Sequence, residues 1–480
     1  MPVLAIDQGN SSTKALVVGP DLDVLGVAEV PLRPMPRPGG GIEFDPDTLL
    51  VSVREAGRRA IAAARVPIDA VGLANPGPSV LAWDRSTGRP LSPVIGRQDQ
   101  RSAAVCEQLT AAGHGPDLMR ITGLPLDPRF AGPKLAWLHG TAGRTGVVTT
   151  LDSWLLYQLA GGYVTDASTA SQTMLIDLDR LEWSAEAARW FGLNVDELPV
   201  IVENALPVGI TRAFGTPSPV PITGLAAGPQ AALFAHGCLR PGEATCSYGT
   251  GAALLVNAGL APKRSTAGLA ASVAWRLHGS TSYSLDGQVY PVGHAVGWLR
   301  EIGVIGETAD LDGLGGTVPD TGGVVAVPAL AGLGAPYWRP AAAGIFTGLR
   351  LTTTRGHLVR AVVEGLAAQI ALLAQAASRD MGARLTTLRV DGPLTRSRLF
   401  MQEQADLLQV PVEVSQEPNA SAVGVAALAL VGIGQATSAA EAIGDWQPDT
   451  RFEPRIYPDQ AAQRLDGWRR TLERHLVREA

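Results

Sequence analysis

The sequence predicts a duplicated α/β fold, with two βα-rich halves around a central cleft. Three observations carry that prediction. The chain has 480 residues, too many for one compact core. A strand–glycine turn–strand construction occurs twice, roughly half a chain apart. After each copy, helix and strand signals follow in a comparable series.

The first copy is VLAIDQGNSSTKALVVG (3–19), a strand, a polar Gly/Ser turn and a second strand. Segment FDPDTLLVSVREAGRRAIAAA (44–64) carries a helix signal and leads into the strand IDAVGLA (68–74). Residues 222–234, ITGLAAGPQAALF, read as an apolar run, a glycine-containing turn and a helix start, without one ionisable side chain. The second hairpin is ATCSYGTGAALLVNAG (244–259). A long amphipathic helix is expected in TRGHLVRAVVEGLAAQIALLAQAA (354–377), where Val359, Val362, Val363, Leu366 and Ile370 share a stripe. LTTLRVDG (385–392) reads as a strand ending in a turn, and LFMQEQADLLQ (399–409) as a helix. The expected lobes are 1–238 and 239–480.

Composition narrows the function classes. An apolar fraction of 46% against 18% charged residues allows a large core. Net charge is −6 with no dense basic run, so nucleic acid is not an expected partner. Cys106, Cys238 and Cys246 form no CxxC pair, and their odd number excludes a fully paired disulfide framework, which fits a reduced cytoplasm. The N-terminus meets Asp7 and lacks the cationic-then-apolar pattern of a secretory signal. The most apolar helix candidate, SAVGVAALALVGIG (421–434), is too short to span a bilayer. A cytoplasmic protein without membrane contact is therefore expected.

The hairpins suggest the chemistry. Tight turns of Gly and hydroxyl residues present successive backbone N–H groups, which cradle anions. In the first turn Asp7 is a candidate to hold a hydrated Mg²⁺, and Lys14, one of only three lysines, adds positive charge. In the second, Gly249, Thr250 and Gly251 are placed to wrap another phosphate. Singly, Asp7 is an ordinary turn aspartate and YGTG an ordinary hairpin turn. At matching places in two halves, they suit a nucleoside triphosphate. No GxxxxGK, strand-to-helix GxGxxG, HExxH or GxSxG supports a competing chemistry.

DQGNSSTK (7–14), DSWLLYQLAGGYVTDASTASQTML (152–175), QAALFAHGCLRPG (230–242), YGTGAALLVNAG (248–259) and LAGLGAPYW (330–338), with the stretch from Val390 to Val425, resemble the FGGY carbohydrate kinases. Within that family the chain looks most like the glycerol kinases, with xylulokinases a related branch. The resemblance implies an actin/hexokinase-type (ribonuclease H-like) ATPase fold with ATP and Mg²⁺ between two lobes. By the same resemblance Asp7 helps hold the metal, while Gly9, Asn10, Ser11, Ser12 and Lys14 meet the terminal phosphates. Gly249 to Gly251 form the second phosphate loop, and Asp391 and Gly392 begin the adenosine turn. The family usually shows two glycines in that turn; here Pro393 removes an N–H and fixes φ.

The acceptor side departs from the family. The neutral crossing at 222–234 aligns without a gap, placing Gly228 where the family's general-base aspartate stands and Pro229 where its glutamine stands. Gly77 and Pro78 occupy the positions of the arginine–glutamate pair that grips glycerol, and Arg97 and Arg129 those of the pocket tryptophan and tyrosine. Tyr290 is a further pocket candidate. Glycerol is therefore not the expected substrate.

Three readings follow. Phosphotransfer is retained to a sugar, polyol or anionic small molecule, with the two arginines clamping an anion or, alternatively, sitting in surface ion pairs. The chain is a pseudokinase that binds nucleotide or ligand and acts by shape. Or another acid, Asp99, Asp127 or Asp286, enters the cleft. A homodimer is compatible with the resemblance.

Overall fold

The computed structural model describes residues 1–141, 146–290, 292–339 and 342–479. In the N-terminal half the hairpin forms as β1 (Val3–Gln8) and β2 (Ser12–Val18), extended antiparallel by β3 (Val24–Pro31). Helix α1 (Pro46–Ala64) starts where Asp45 accepts a hydrogen bond from the Thr48 N–H, with proline as its first residue. It leads to β4 (Ala70–Asn75), which lies parallel to β1. β5 (Ala205–Thr211) and β6 (Val220–Ala227) complete the sheet in the order β5-β6-β4-β1-β2-β3. The crossing helix α2 (Gly228–Ala235) follows directly on β6.

The second half repeats the plan. β7 (Glu243–Tyr248) and β8 (Ala252–Gly259) form the second hairpin, followed by β9 (Ala270–Leu277) and β10 (Ser280–Val289). Then come α3 (Arg355–Met381), β11 (Thr387–Asp391), α4 (Arg398–Leu408), β12 (Val412–Ser415), α5 (Ala420–Gly432) and β13 (Pro448–Phe452). The sheet order is β9-β10-β8-β7-β11-β12-β13. On one side of β1 and of β7 lie two antiparallel strands, and on the other two parallel strands and an outer antiparallel one. β9 is an added edge on the second sheet. This is the expected duplication.

Two elements differ in character from their sequence signal. The stripe expected on α3 is only part of its buried surface, because the helix packs on β8 and β10 on one side and on α4 and the C-terminal helix Pro458–Glu479 on another. α3 is also long and apolar enough to cross a membrane, but 78% of its apolar window is buried in the C-terminal core. α5, the apolar segment near 421–434, belongs in chain order to the second half yet packs on β1, β4 and β6 of the first. α2 reciprocates by packing on β7, β8 and β9. Glycines permit the close approach: a Cβ on Gly72 or Gly224 would lie 2.4 Å from the Val425 carbonyl oxygen.

One buried acid makes a testable contribution. Asp152, on the helix Leu151–Ala160, is 2% exposed, and its Oδ2 accepts from the Thr165 hydroxyl at 2.7 Å. Burial, with the neighbouring Asp166 charge, pushes its carboxyl up to about 7. A raised carboxyl pKa means that the native chain holds a proton which the unfolded chain releases between the ordinary value of 3.8 and about 7. Its contribution to stability therefore falls as pH rises through that window, by at most about 1.4 kcal/mol per pH unit. Asp152→Asn should match the wild type in thermal stability near pH 4 and exceed it by a growing margin up to pH 8. A pH-independent difference in melting temperature would refute the assignment.

Candidate active site

Register and short side-chain links set the phosphate side. Asp7 faces Lys14 across the first hairpin, and Lys14 Nζ donates to Asn419 Oδ1 at 3.2 Å, joining β2 to the residue that precedes α5. In the second half, Asp391 ends β11 opposite Ser247 on β7. Burial raises the Asp7 carboxyl to about 6, against the pull of Lys14. Burial likewise raises Asp391 to about 7, with Ser247 lowering it, the charge of Asp7 raising it and Lys14 lowering it. The bases of the two hairpins are thus in electrostatic contact across the lobes.

The turns themselves are tight. Gly9 N–H donates to the Ser12 carbonyl at 3.0 Å, and Gly249 N–H to that of Gly251 at 2.9 Å. A Cβ on Gly9 would come 2.9 Å from Ser12 O, and one on Gly251 would come 2.6 Å from Val289 O, so both turns are closed to larger residues. Asn10, Ser11, Thr250 and Gly249 remain at least partly exposed. Gly392 has φ of 97° and packs on Tyr248, whose carbonyl oxygen would be 2.2 Å from an added Cβ. Pro393 opens a single 3₁₀ turn, Pro393–Arg396. His236 Nε2 lies 3.7 Å from Asp391 Oδ2, but burial, with Arg389 nearby, lowers this histidine to about 3. It is neutral, so the contact is not an ion pair.

These residues fit a magnesium-bound triphosphate: one half-buried carboxylate, one lysine, and two tight glycine turns with partly exposed backbone. Among the described residues no cluster of three or more His, Cys, Asp or Glu is arranged to hold a metal alone.

A pocket lies at the start of α2. Pro78, Arg97, Arg129 and Pro229 line it together with Asp286. Gly77 lies behind, with Gln172 Oε1 2.4 Å from where its Cβ would be, and it is held by a Gly77 N–H bond to Asn75 Oδ1 of 2.7 Å. Gly228 forms the first residue of α2, and Ser421 Oγ of α5 donates to its carbonyl at 3.0 Å. Tyr290 is within electrostatic reach of Arg129 and Arg97, and burial raises its phenol. Asp286 is 8% exposed; burial raises its carboxyl while Arg129 and Arg97 lower it.

The other two acids are committed elsewhere. Asp99 accepts from the Ile42 N–H at 2.8 Å and pairs with Arg101 at 2.6 Å, so it braces a loop. Asp127 accepts from the Arg129 N–H at 2.9 Å, closing a turn. Neither lines the pocket.

Sequence reasoning missed several contributors. Gln172, Gln230 and Gln288 also line the pocket, and Gln172 Nε2 donates to Gln230 Oε1 at 2.9 Å. Trp338, which the sequence offers with Tyr290 as a cleft-side or core aromatic, stacks on Arg129. Lys134, fully buried, donates from Nζ to the Arg129 carbonyl at 2.6 Å and lies 3.5 Å from that of Pro78, tying two pocket walls. Burial lowers its pKa to about 7, against the charge of Asp127. A lysine amid the apolar run AGPKLAWL, in a chain with three lysines, was the available signal.

The chain matches two family models, the N-terminal domain of the FGGY family of carbohydrate kinases over residues 2–235 and its C-terminal domain over 244–433. It is 40% identical to a glycerol kinase of Myxococcus xanthus, covering 98% of this chain and 99% of that one. Against a glycerol kinase of Thermus brockianus the identity is 39%, with 98% of each chain covered. Among solved structures, Plasmodium falciparum glycerol kinase with ADP superposes with a TM-score of 0.93 at 28% identity, covering 99% of this chain and 98% of that one. A xylulose-type kinase of Brucella ovis gives 0.89 at 27%, covering 98% and 99%. The two lobes accordingly have the actin/hexokinase-type fold of these sugar kinases. With both domain models matched in order along the chain, this protein belongs to the FGGY family of carbohydrate kinases.

Proposed function

We propose that this chain transfers the γ-phosphoryl group of ATP to a small molecule other than glycerol, without a carboxylate at position 228. The observation that carries the reading is the juxtaposition of two glycine turns joined through Asp7, Lys14 and Asp391 with a pocket that opens at the start of α2. Asp7 would hold the hydrated magnesium ion, which neutralises charge on the β- and γ-phosphate oxygens. Lys14 and the backbone amides of Gly9 to Ser12 and Gly249 to Gly251 orient the triphosphate. Asp391 and Gly392 would begin the adenosine side.

In the transfer, an acceptor oxygen bonds to the γ-phosphorus, the bond to the β,γ-bridging oxygen breaks, and ADP leaves with that electron pair. A hydroxyl acceptor must also lose its proton, and a positioned base typically contributes about 10²- to 10⁴-fold. An acceptor oxygen that is already anionic has no proton to lose. Position and electrostatics supply most of the rate in either case.

A second reading rests on the same residue. Gly228 brings no acid to the crossing, as suits a pseudokinase that keeps nucleotide binding without turnover. ADP release with Mg²⁺ and ATP, measured across neutral polyols, sugars, sugar acids and phosphorylated polyols, separates the two. Phosphotransfer gives ADP and phosphorylated product in equal amounts with one class and none with glycerol. Tight ADP binding with no turnover on any acceptor establishes the second reading and removes the first.

A further inference from the structure

We propose that Arg97 and Arg129 form an anion clamp, so that the acceptor is a small hydroxylated molecule held by its own carboxylate or phosphate group. The inference rests on reading this pocket as the acceptor site.

Arg129 is the stronger observation. It is 5% exposed; Nη1 and Nη2 make no well-formed hydrogen bond, and the Tyr290 side chain lies within reach of the guanidinium. Everything else about the residue is held. Its N–H donates to Asp127, its carbonyl accepts from Lys134, and its guanidinium lies 4.8 Å from the centre of the Phe130 ring and 4.5 Å from that of Trp338. Fixed faces with free edges leave the guanidinium able to present a planar fork of donors. A buried charge with unmade hydrogen bonds is costly, and a bound anion removes that cost.

Arg97 lines the same pocket, and no hydrogen bond or ion pair joins its side chain to any described residue. Burial and the charge of Arg129 together lower it to about 10. Asp286 is the one acid among the lining residues, and it approaches neither guanidinium within the 4.0 Å of an ion pair. Two positive charges thus face one negative one, leaving room for a second anion. Gln172 and Gln288 add neutral donors and acceptors suited to hydroxyl groups. A neutral polyol would leave one of the two guanidinium charges unbalanced, which is the stronger kind of discrimination a polar pocket offers.

Binding of D-gluconate, glycerol 3-phosphate and glycerol, titrated calorimetrically into the full chain without nucleotide at constant ionic strength, tests the clamp. The expected result is saturable binding of at least one anion and no competition by glycerol. Gluconate alone identifies a carboxylate ligand, glycerol 3-phosphate alone a phosphate, and both the shared chemistry. Arg129→Met and Arg97→Met should each weaken the anion about 10- to 100-fold. Absence of saturation by either anion below about 10 mM overturns the proposal. Undiminished anion binding in an Arg129→Met protein with wild-type melting temperature also does. Should that variant not fold, the partly exposed Arg97 carries the same test. ADP binding and turnover are measured alongside: anion binding without turnover leaves the clamp standing and removes phosphotransfer, while turnover confined to neutral acceptors does the reverse.

Discussion

Replacing Gly228 with aspartate raises kcat on a hydroxyl acceptor that the pocket admits by about 10²- to 10⁴-fold, the usual contribution of a positioned base. The backbone there accepts a side chain. An added Cβ would meet the Asn75 carbonyl oxygen and Ser421 Oγ at 3.5 Å, both ordinary contacts, and the φ of Gly228 is not in the left-handed region. A carboxylate at the first position of α2 also interacts favourably with the helix N-terminus. ADP release by wild type and Gly228→Asp on the same acceptor reads the effect. An unchanged rate, with melting temperature and ADP affinity preserved, would mean that the lack of a carboxylate at position 228 is not what limits turnover.

The largest structural effect is expected from Gly424→Ala. A methyl at Gly424, on α5, would sit 1.9 Å from the Ala231 carbonyl oxygen on α2. The obstacle is backbone on both sides, so no rotamer change relieves it. The helices have to part, and α5 carries with it its packing on β4 and β6, where a Cβ on Gly72 or Gly224 would also clash, at 2.4 Å. The expected loss is about 3 kcal/mol or more, at the upper end for overpacking. Denaturant unfolding with a midpoint close to wild type would refute the arrangement of the two crossing helices. Gly382→Ala, whose added Cβ meets nothing within 4 Å, is a useful contrast because its penalty arises from its φ of 68° alone.

Much of the fold was legible because its signals are local. The strand expected at 68–74 forms as β4, Ala70–Asn75, and the helix expected at 44–64 forms as α1, Pro46–Ala64. The hairpins at 3–19 and 244–259 appear with their turns at Gly9 and Gly249, since glycine and hydroxyl residues between apolar runs leave few other conformations. α3 was found but its burial was underestimated, because a stripe at helical spacing reports one packed face and says nothing of a second.

The site divides in the same way. The identity of Gly228, the absence of charge from 222–234, and the presence of arginine at positions 97 and 129 are properties of the chain alone. Only tertiary structure decided that Asp286 joins the pocket while Asp99 and Asp127 stay bound in loops, and that Lys134 ties its walls. It also decided that Trp338, far along the chain, covers Arg129 and that the guanidinium edge makes no well-formed hydrogen bond. Whether a charged group is paired depends on what the fold brings within hydrogen-bonding distance, and no local pattern encodes neighbours separated by more than two hundred residues.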